Sequence, residues 1–334
     1  MTFKVVARTG FPYTLAETIL KDAGIRMVRV PLVMENQIIE YAADADAALV
    51  SAIEPYTSTA IRALRKCKII SRLGIGFNNI DVEEATREGI PVAVVLDASV
   101  EEVSDHALAF ILAFSRKIFP LNQAIRKGVW KAGTGEINQV RGQMFRLNTR
   151  ILGIVGVGRI GSRVARKARA FGLRVLGYDP YLSAEELWKS GAEKVEFDQL
   201  LQEADFVSLH APLTPETNKM FGLKEFQKMK PTAFLINTAR GGIIDEQALY
   251  KVIKEGRIAG AGLDVNDPEP PSSDNPLLTL DQVLMTGHSA FFSESSMQDL
   301  ERRAVEAIIL ALQGQWPAFL ANPEVKEKEN RRIP

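Results

Sequence analysis

Short β-branched runs alternate with amphipathic stretches in two rounds along this chain, the first from Phe3 to Val95 and the second from Ile151 onward. Alternation of this kind predicts parallel sheets flanked by helices, because each strand must return to the same edge through a helical crossover. In the first round, the predicted strands are Phe3 to Ala7, Val28 to Val33, Ala47 to Val50, Lys68 to Ile70 and Val92 to Val95. The predicted helices between them are Leu15 to Ala23, Glu35 to Ala43, Thr57 to Arg65 and Val82 to Arg87.

The second round predicts a full Rossmann sheet, since six strand candidates are separated by helical patterns. These strands are Ile151 to Val155, Arg174 to Tyr178, Phe206 to Leu209, Ala233 to Asn237, Gly260 to Asp264 and Val283 to Thr286. A long helix with an apolar stripe leads into this region, and we expect Ser99 and Glu102 to cap its start. An amphipathic helix from Glu294 to Leu312 follows the last strand, and we expect it to pack back on the first domain.

Composition excludes several classes of function. The 334 residues include 41 basic and 41 acidic side chains, so the zero net charge gives no reason to expect nucleic acid or an anionic membrane as a partner. The single cysteine, Cys67, excludes an intramolecular disulfide and a Cys-rich metal site, and we expect no metal. With neither a signal-like start nor an apolar run of membrane-spanning length, a soluble cytoplasmic protein is the expectation.

The segment Gly156-Val157-Gly158-Arg159-Ile160-Gly161 has the G-x-G-x-x-G spacing of dinucleotide-binding turns. It follows an apolar strand, opens a predicted helix from Ser162 to Ala170, and precedes a second strand that ends in Asp179. This order of strand, turn, helix, strand and acid is what makes the motif specific. The alternative is a glycine-rich turn in another α/β protein, with Asp179 a solvated carboxylate.

Each residue type in this motif has a physical role. Gly156 permits the tight turn, Gly158 lets the backbone approach a pyrophosphate, and Gly161 lets the helix pack closely on the strand. The pyrophosphate then sits at the helix N-terminus, where free N–H groups favour negative charge. Asp179 can accept hydrogen bonds from ribose hydroxyls and repels the extra phosphate of NADP, so the motif favours NAD.

Three later segments, 237–242, 263–270 and 286–290, stand at the carboxyl ends of predicted Rossmann strands, where ligands bind in such sheets. Reduction of a keto acid needs a cation to hold the carboxylate, an acid to protonate the oxygen, and a carboxylate to orient that acid. Arg240 offers a planar fork for a carboxylate, His288 offers an imidazole that can act as an acid or a base, and Glu269 can stabilise a protonated imidazole. These three residues are the predicted catalytic set.

Other interpretations of single residues remain open. His288 could be a loop histidine, Glu269 a solvated side chain of a Pro-rich turn, and Asp264 a cap or turn residue. We interpret His106 as structural and His210 as lining a cofactor path. Two further features are interpreted as surface: the Tyr250 and Lys254 pair, spaced i,i+4 on a helix, and the polar tail from Lys326 to Pro334, expected to be frayed.

The order of these motifs resembles that of the D-isomer-specific 2-hydroxyacid dehydrogenases over nearly the whole chain. The resemblance includes residues 72–81, Arg-Leu-Gly-Ile-Gly-Phe-Asn-Asn-Ile-Asp, and residues 210–214, His-Ala-Pro-Leu-Thr. Within that family, residues 100–105, 178–183 and 292–294 are similar to the C-terminal-binding-protein branch.

The resemblance implies an NAD-dependent oxidoreductase that moves a hydride between NAD(H) and a small 2-keto or D-2-hydroxy acid, with His288 as acid/base, Glu269 as its partner and Arg240 holding substrate. It implies a flavodoxin-like substrate domain from residues 1–100 and 293–334, a Rossmann NAD domain from residues 101–292, and a homodimer formed through the NAD domains. The implied cofactor-binding residues are Val155, Gly156, Val157, Gly158, Arg159, Ile160, Gly161, Asp179, His210, Ala211, Pro212, Thr217, Thr238, Ala239, Arg240, Asp264 and His288. The implied substrate-binding residues are Leu73, Gly74, Ile75, Gly76, Arg240, His288 and Phe291.

The sequence departs from the family pattern at several positions. Gly287 stands where proline commonly precedes the histidine, which predicts a looser loop. Phe291 replaces a pocket-lining tryptophan of the C-terminal-binding-protein branch, so the substrate preference of that branch does not carry over. Val94, Leu96 and Asn78 replace a common Asn, Pro and Asp.

Two rival functions follow from the same resemblance. One is an NAD(H)-sensing, corepressor-like dimeric scaffold that uses the dinucleotide only to control assembly. The intact Arg, Glu and His set argues against it, as does the short tail. The other is a glyoxylate/hydroxypyruvate or 3-phosphoglycerate specialist; phosphoglycerate enzymes often carry an added regulatory domain, and none fits this sequence.

Overall fold

The chain divides into two compact units, each built on its own parallel sheet. The computed structural model describes residues 2–131, 135–142 and 144–334. Unit 1 comprises Met1–Ser99 and Phe292–Pro334, and unit 2 comprises Val100–Phe291. Two parallel α/β sheets confirm the predicted fold class.

Unit 1 has a five-stranded sheet in the order β2-β1-β3-β4-β5, which is the flavodoxin-like order. Its strands are β1 (Lys4–Arg8), β2 (Arg26–Val30), β3 (Ala47–Val50), β4 (Ile69–Arg72) and β5 (Val92–Val94). The crossover helices are α1 (Thr14–Asp22), α2 (Glu35–Tyr41), α3 (Ser58–Ala63) and α4 (Val82–Arg87). Every residue of β3 is buried, as expected for a central strand that is covered on both faces.

Unit 2 has a seven-stranded sheet in the order β12-β11-β10-β9-β6-β7-β8, the Rossmann order with one strand added. The strands are β6 (Ile151–Val155), β7 (Arg174–Tyr178), β8 (Glu193–Lys194), β9 (Phe206–Leu209), β10 (Phe234–Asn237), β11 (Gly260–Leu263) and β12 (Val283–Met285). The sequence predicts six of these seven strands. The seventh, β8, is a two-residue edge strand of exposed polar side chains, too short to show a periodic pattern.

The helices of unit 2 cover both faces of this sheet. They are α5 (Val100–Ser115), α6 (Ile118–Arg126), α7 (Glu136–Arg141), α8 (Arg159–Ala170), α9 (Ala184–Lys189), α10 (Phe197–Glu203), α11 (Leu223–Lys228) and α12 (Glu246–Lys254). Helix α5 lies so close to β11 that a Cβ on Gly262 would come within 2.6 Å of Phe110. This close packing fixes the position of α5 against the end of the sheet that carries the site described below.

The chain returns to unit 1 through α13 (Glu294–Leu312), and this helix packs on the first sheet as expected. The buried Glu301 carboxylate accepts the Ala16 N–H at 2.8 Å, and the Ser71 hydroxyl donates to the Ala304 carbonyl at 2.8 Å. These bonds tie the returning helix to α1 and β4.

The tail is solvated as predicted over residues 326–331, which are exposed, but the prediction that it frays is wrong at its end. Ile333 is fully buried, and Arg332 donates to the carbonyls of Cys67 at 3.1 Å and of Glu88 at 3.0 Å. The polar composition of the tail gave no sign of this arrangement, because few of its side chains, Ile333 and Arg332 among them, make the contacts beside α3 and α4. No helix in the described ranges combines the length and apolarity that a membrane crossing needs.

Candidate active site

The glycine turn lies where the strand order of unit 2 reverses. Strand β6 is paired with β7 on one side and with β9 on the other, so the connections that leave β6 and β9 run to opposite faces of the sheet. The crevice outside the carboxyl ends of such strands is where ligands bind in open α/β sheets. Residues 156–161 follow β6 directly and therefore stand at this crevice.

The three glycines of this turn face different surroundings. Gly156 has a φ of 87°, and a Cβ there would lie 2.7 Å from the Ala211 nitrogen. A Cβ on Gly161 would come within 2.1 Å of the Gly156 oxygen. Gly158, in contrast, has nothing within 4 Å of that position. Sterics thus require glycine at the first and third positions, whereas the second opens onto space that a pyrophosphate could approach.

The helix after this turn begins at Arg159, three residues earlier than the predicted Ser162. Gly158 is its N-cap residue, so the end of the motif itself forms the first turn of α8. The first N–H groups of a helix have no partner within it, so the start of α8 can offer donors to an anion, as binding at a helix N-terminus requires.

Asp179 is held at the end of β7 by two backbone groups. Its carboxylate accepts the Val157 N–H at 3.0 Å and the Tyr181 N–H at 3.0 Å. It is half-buried and fixed beside the glycine turn, unlike a freely solvated loop carboxylate. A fixed negative charge at this place suits ribose hydroxyls and opposes a 2′-phosphate.

His210 follows β9 and stands next to Gly156. Its Nε2 lies 2.8 Å from the Ser208 hydroxyl, while its Nδ1 is buried with no hydrogen-bond partner among the described residues. Burial lowers the pKa of His210 to about 3, so its imidazole is neutral at physiological pH. The segment after it is folded on itself by Thr217, whose hydroxyl donates to the Pro212 carbonyl at 2.6 Å.

The loop after β10 is shaped by one buried amide side chain. Asn237 is fully buried; its Oδ1 accepts the Ala239 N–H at 3.0 Å and its Nδ2 donates to the Arg240 carbonyl at 2.8 Å. The neighbouring Thr238 hydroxyl is buried with no hydrogen-bond partner in the described ranges, which suits a polar group of a bound cofactor. Asn237 thereby sets the backbone position of Arg240.

Arg240, Glu269 and His288 come together at the ends of β10, β11 and β12. His288 Nδ1 lies 2.8 Å from Glu269 Oε2, and Glu269 Oε1 accepts the Asn266 N–H at 3.1 Å. Burial raises the pKa of Glu269, but the hydrogen bond and charge of His288, the Asn266 N–H and the charge of Arg240 together outweigh it. The pKa of Glu269 therefore lies below its ordinary value, and the group is a carboxylate at neutral pH.

The Arg240 guanidinium is largely withdrawn from solvent, and burial lowers its pKa while Glu269 opposes that change. It remains a cation, because even a lowered arginine pKa lies far above neutrality. The His288 side chain is 38% exposed and meets the Phe291 ring edge-on, with ring centroids 6.0 Å apart. The site thus presents a cation, an accessible imidazole with a carboxylate behind it, and an aromatic wall.

The loop that carries His288 is anchored by one buried carboxylate. Asp264, 1% exposed, accepts the Thr286 hydroxyl at 2.6 Å, the Ser289 N–H at 2.8 Å and the Ala290 N–H at 3.0 Å. Gly287, placed where the family commonly has proline, has a φ of 61°, which a proline ring cannot adopt. The expected looseness is therefore offset by three hydrogen bonds to Asp264.

The predicted substrate loop belongs to unit 1. Within it the Leu73 N–H donates to the Val50 carbonyl at 2.8 Å, and the Gly74 N–H donates to the Arg72 carbonyl at 2.9 Å. Because the N–H groups of Leu73 and Gly74 are already used, the loop can offer an anion only the N–H groups of Ile75 and Gly76 among residues 73–76.

Sequence reasoning missed three contributors to the site. Thr286 is hydrogen-bonded to the Asp264 carboxylate, and His106 is hydrogen-bonded to Thr286. Asn237 holds the loop that carries Arg240 by a hydrogen bond to the Arg240 carbonyl. A polar residue at a strand end was the only available signal for Asn237, and nothing in the sequence links His106 on α5 with Thr286.

The Tyr250 and Lys254 pair is an exposed i,i+4 contact, with Nζ and Oη 2.9 Å apart, as predicted. Residues 2–131, 135–142 and 144–334 contain no group of His, Cys, Asp and Glu that could hold a metal ion.

Comparison with known proteins agrees with this geometry. Residues 108–290 match the family model of the D-isomer specific 2-hydroxyacid dehydrogenase, NAD binding domain. The chain is 40% identical over 288 residues to a glyoxylate reductase of Korarchaeum cryptofilum, covering 86% of each protein. It is 37% identical over 313 residues to a D-3-phosphoglycerate dehydrogenase of Methanocaldococcus jannaschii, covering 93% of this chain and 58% of that protein.

A solved structure of the D-lactate dehydrogenase of Aquifex aeolicus, complexed with NAD and lactic acid, matches this fold with a TM-score of 0.83. The identity is 27%, and the match covers 96% of this chain and 99% of that one. With the family model spanning more than half of the chain and a relative at 40% identity, the chain belongs to the D-isomer-specific 2-hydroxyacid dehydrogenase family and is an NAD-dependent oxidoreductase.

Proposed function

We propose that this enzyme reduces the carbonyl group of a small 2-keto acid to a D-2-hydroxy acid, with His288 as the acid/base, Glu269 as its partner and Arg240 as the substrate-binding cation. The observation that carries this proposal is the 2.8 Å contact between His288 Nδ1 and Glu269 Oε2 beside the half-buried Arg240. Cofactor chemistry of the family and the chemistry of these three side chains point to the same reaction.

Glu269 gives His288 a defined tautomer. Because a carboxylate only accepts hydrogen bonds, Nδ1 carries the hydrogen of this contact, and Nε2 is the nitrogen that exchanges a proton with a substrate. In the reductive direction, the Nε2–H donates its proton to the carbonyl oxygen as negative charge develops there. In the oxidative direction, Nε2 takes the hydroxyl proton.

Arg240 suits a keto acid because its planar fork can bind carboxylate and carbonyl oxygens together. The partial withdrawal of this group from water strengthens its attraction for an anion. Asn237 sets the backbone position of Arg240, which limits where the guanidinium can lie relative to a bound substrate.

NADH, when bound, supplies the hydride. The residues that would hold it are those at the crevice of β6 and β9: the glycine turn for the pyrophosphate, Asp179 for the adenosine ribose, and Thr238 with Asp264 toward the nicotinamide. Among the described residues, Gly158 has open surroundings and the Thr238 hydroxyl has no hydrogen-bond partner, and both features fit this cofactor.

The substrate class follows from the polar groups and from the relatives. A cation, an imidazole and the Phe291 ring suit a short 2-keto acid with a small side chain. The relatives reported above are named for glyoxylate, lactate and 3-phosphoglycerate, and the relative at 40% identity is the glyoxylate reductase, so glyoxylate heads the candidates. Ile75 and Gly76 remain the predicted carboxylate-binding amides of unit 1.

Within the family, we place the chain near the C-terminal-binding-protein branch, on residues 100–105, 178–183 and 292–294. A regulatory scaffold would retain NADH binding without using His288, and the assay below separates the two functions.

We further propose that the protein is a homodimer formed through unit 2. Helix α6 and the residues after it expose Ile118, Phe119, Ile125 and Trp130, each 45% exposed or more. Beside them lies a cavity of about 520 Å³ lined largely by apolar side chains, Phe119 among them. Exposed apolar side chains close together in the sequence, one of them lining an apolar cavity, suit an interaction site. Light scattering should show a dimer that Phe119→Glu converts to monomer, while Trp188→Ala, at an exposed tryptophan of α9, leaves the dimer intact.

The test of the catalytic proposal is a panel of keto acids followed by NADH absorbance. It should include glyoxylate, hydroxypyruvate, pyruvate, 3-phosphohydroxypyruvate, and branched and thioether keto acids. We expect turnover with at least one small keto acid, and His288→Ala should lower kcat about 10²–10⁴-fold, the range for loss of a general acid. Tyr250→Phe, which changes the exposed surface pair, is the matched control and should keep full activity.

The contrary result is also defined. If the protein binds NADH but oxidises it with no keto acid of the panel, and His288→Ala behaves like the wild type, the scaffold function is supported and the catalytic proposal is overturned.

A further inference from the structure

A chain of hydrogen bonds connects helix α5 with the loop that carries His288. His106 Nε2 lies 2.9 Å from the Thr286 hydroxyl oxygen, and that oxygen lies 2.6 Å from Asp264 Oδ1. His106 and Asp264 approach each other to 3.8 Å across this hydroxyl. The three residues come from separate parts of unit 2 and meet beneath residues 287–290.

The direction of this chain follows from counting hydrogens. A threonine hydroxyl has one hydrogen to donate, and the Asp264 carboxylate, which also receives two backbone N–H groups, can only accept. The Thr286 hydroxyl therefore donates to Asp264, and its oxygen accepts from His106 Nε2–H. His106 must carry hydrogen on Nε2, a requirement that both the Nε2–H tautomer and the imidazolium meet.

Asp264 distributes this support to the loop. Its Oδ1 accepts the Ser289 N–H, its Oδ2 accepts the Ala290 N–H, and its backbone carbonyl accepts the N–H of His288 at 2.5 Å. His288 itself has a φ of 53°, in the left-handed region that side chains rarely adopt. A conformation of that kind persists only where the surroundings hold it, and Asp264 supplies the bonds on both sides of it.

The His106 ring is fixed where it can serve this chain. Phe110, one turn later on α5, meets the imidazole edge-on with centroids 4.9 Å apart, and Phe110 in turn abuts Gly262 on β11. Because Asp264 follows β11 directly, the ring and the carboxylate are positioned by the same packing between helix and sheet.

We propose that His106 is a positioning residue for catalysis: acting through Thr286, it orients the Asp264 carboxylate and thereby holds His288 in its catalytic position. This inference rests on the proposed role of His288. His106 contacts neither substrate nor cofactor in this scheme. The proposal differs from the earlier interpretation of His106 as merely structural, because it gives His106 a hydrogen bond that runs from its Nε2–H to Thr286 and on to Asp264.

The experiment compares two pairs of variants that differ in hydrogen bonding more than in shape. His106→Leu and Thr286→Val remove the chain, whereas His106→Gln and Thr286→Ser keep a donor and a hydroxyl at the two positions. Leu112→Ala, at another half-buried residue of α5, controls for general weakening of the helix. For each protein, kcat and KM are measured with the best keto acid of the panel, together with hydrogen exchange of the amides of Ser289 and Ala290.

We expect His106→Leu and Thr286→Val each to lower kcat about tenfold, the scale for loss of a partner that orients a functional side chain, with a much smaller change in KM. Hydrogen exchange at Ser289 and Ala290 should speed up in these two variants. His106→Gln and Thr286→Ser should retain most of the activity. The double variant should be no worse than Thr286→Val alone, because both changes break one chain.

Four outcomes would overturn the inference. If His106→Leu keeps kcat and loop protection while His288→Ala is inactive, the link from His106 fails and the proposed function stands. If His288→Ala is itself fully active, the catalytic assignment fails and this inference fails with it. An equal loss of activity in Leu112→Ala, or no rescue by His106→Gln and Thr286→Ser, would reduce His106 to a packing role.

Discussion

The glycine turn after β6 and the histidine loop after β12 lie in the same unit and are held in place by different means. The turn is fixed by backbone sterics within a few residues, since Gly161 packs on Gly156 and Gly156 packs on residues 210 and 211. The loop is fixed by polar contacts from far along the chain, above all by Asp264. The turn tolerates no side chain at two positions, whereas the loop tolerates a φ of 53° at His288, because the hydrogen bonds of Asp264 hold that conformation.

This difference teaches where precision comes from in the site. A binding turn can be encoded locally, because excluded volume acts between near neighbours. A catalytic loop that must present an imidazole needs a buried hydrogen-bonding centre, and the members of such a centre are scattered in the sequence. Four changes, each in the glycine turn or in the histidine loop, test this difference.

The largest expected effect is on the loop anchor. Asp264→Asn replaces an acceptor oxygen with a donor NH₂, so one of the three donors that Asp264 receives loses its partner in a buried site. We expect kcat to fall about 100-fold, the upper range for loss of an orienting partner. Asp267→Asn, at a nearby exposed residue, is the control for the change of charge. Steady-state kinetics test this prediction. A near-normal kcat in Asp264→Asn would show that the histidine loop keeps its conformation without the hydrogen bonds to Asp264.

The next effect is on the glycine turn. A methyl group at position 161 meets the Gly156 oxygen, so Gly161→Ala should lower the free energy of unfolding by about 1–3 kcal/mol through overpacking. Gly158→Ala meets nothing, and it should keep stability while weakening NADH binding. Denaturant unfolding and NADH fluorescence titration separate the two. Equal stability losses would mean that the turn is not divided into packing and binding positions.

Acid should weaken the turn before the loop. The folded pKa of His210, about 3, lies below its unfolded value of about 6.5. The unfolded chain therefore binds the extra proton first, and stability falls as pH drops below about 6.5. Glu269 has a lowered pKa, so its stabilising effect is present above its unfolded value and is lost only as pH falls further, through the folded one.

The size of this acid effect can be measured by comparison with a variant. At about pH 4.5, two pH units below the unfolded pKa, His210 should account for roughly 3 kcal/mol of lost stability. Urea unfolding of wild type and His210→Gln between neutral pH and that point is the measurement. Parallel pH dependence in the two proteins would contradict the assignment.

The smallest effect is at Gly287. Gly287→Ala introduces a side chain at a φ of 61° with no clash, so it should lower stability by about 1 kcal/mol through strain alone. Gly287→Pro, which restores the residue common in the family, cannot adopt this φ and should lower kcat as well as stability. Thermal unfolding and kinetics test both. A fully active Gly287→Pro would show that the loop can place His288 correctly with a second backbone conformation, in which residue 287 has a negative φ.

The sequence predicted the parts of the fold that depend on local pattern. Strand Ile151–Val155, helix Val82–Arg87 and helix Glu294–Leu312 begin and end as expected. The polar edge strand β8 and the buried Ile333 were missed, because neither produces a periodic signal. The same limit applies at the site: residue types suggested Arg240, Glu269 and His288, but the links among His106, Thr286 and Asp264 depend on tertiary structure alone.

The tail of unit 1 has a consequence for biosynthesis. Unit 2 ends at Phe291, so all of its residues are made before those of α13 and of the tail that complete unit 1. The sheet of β1 to β5 is translated first yet must wait for Ile333 and Arg332 before its core is closed. The five-stranded sheet thus precedes unit 2 in the sequence, and its core is completed only by residues that follow unit 2.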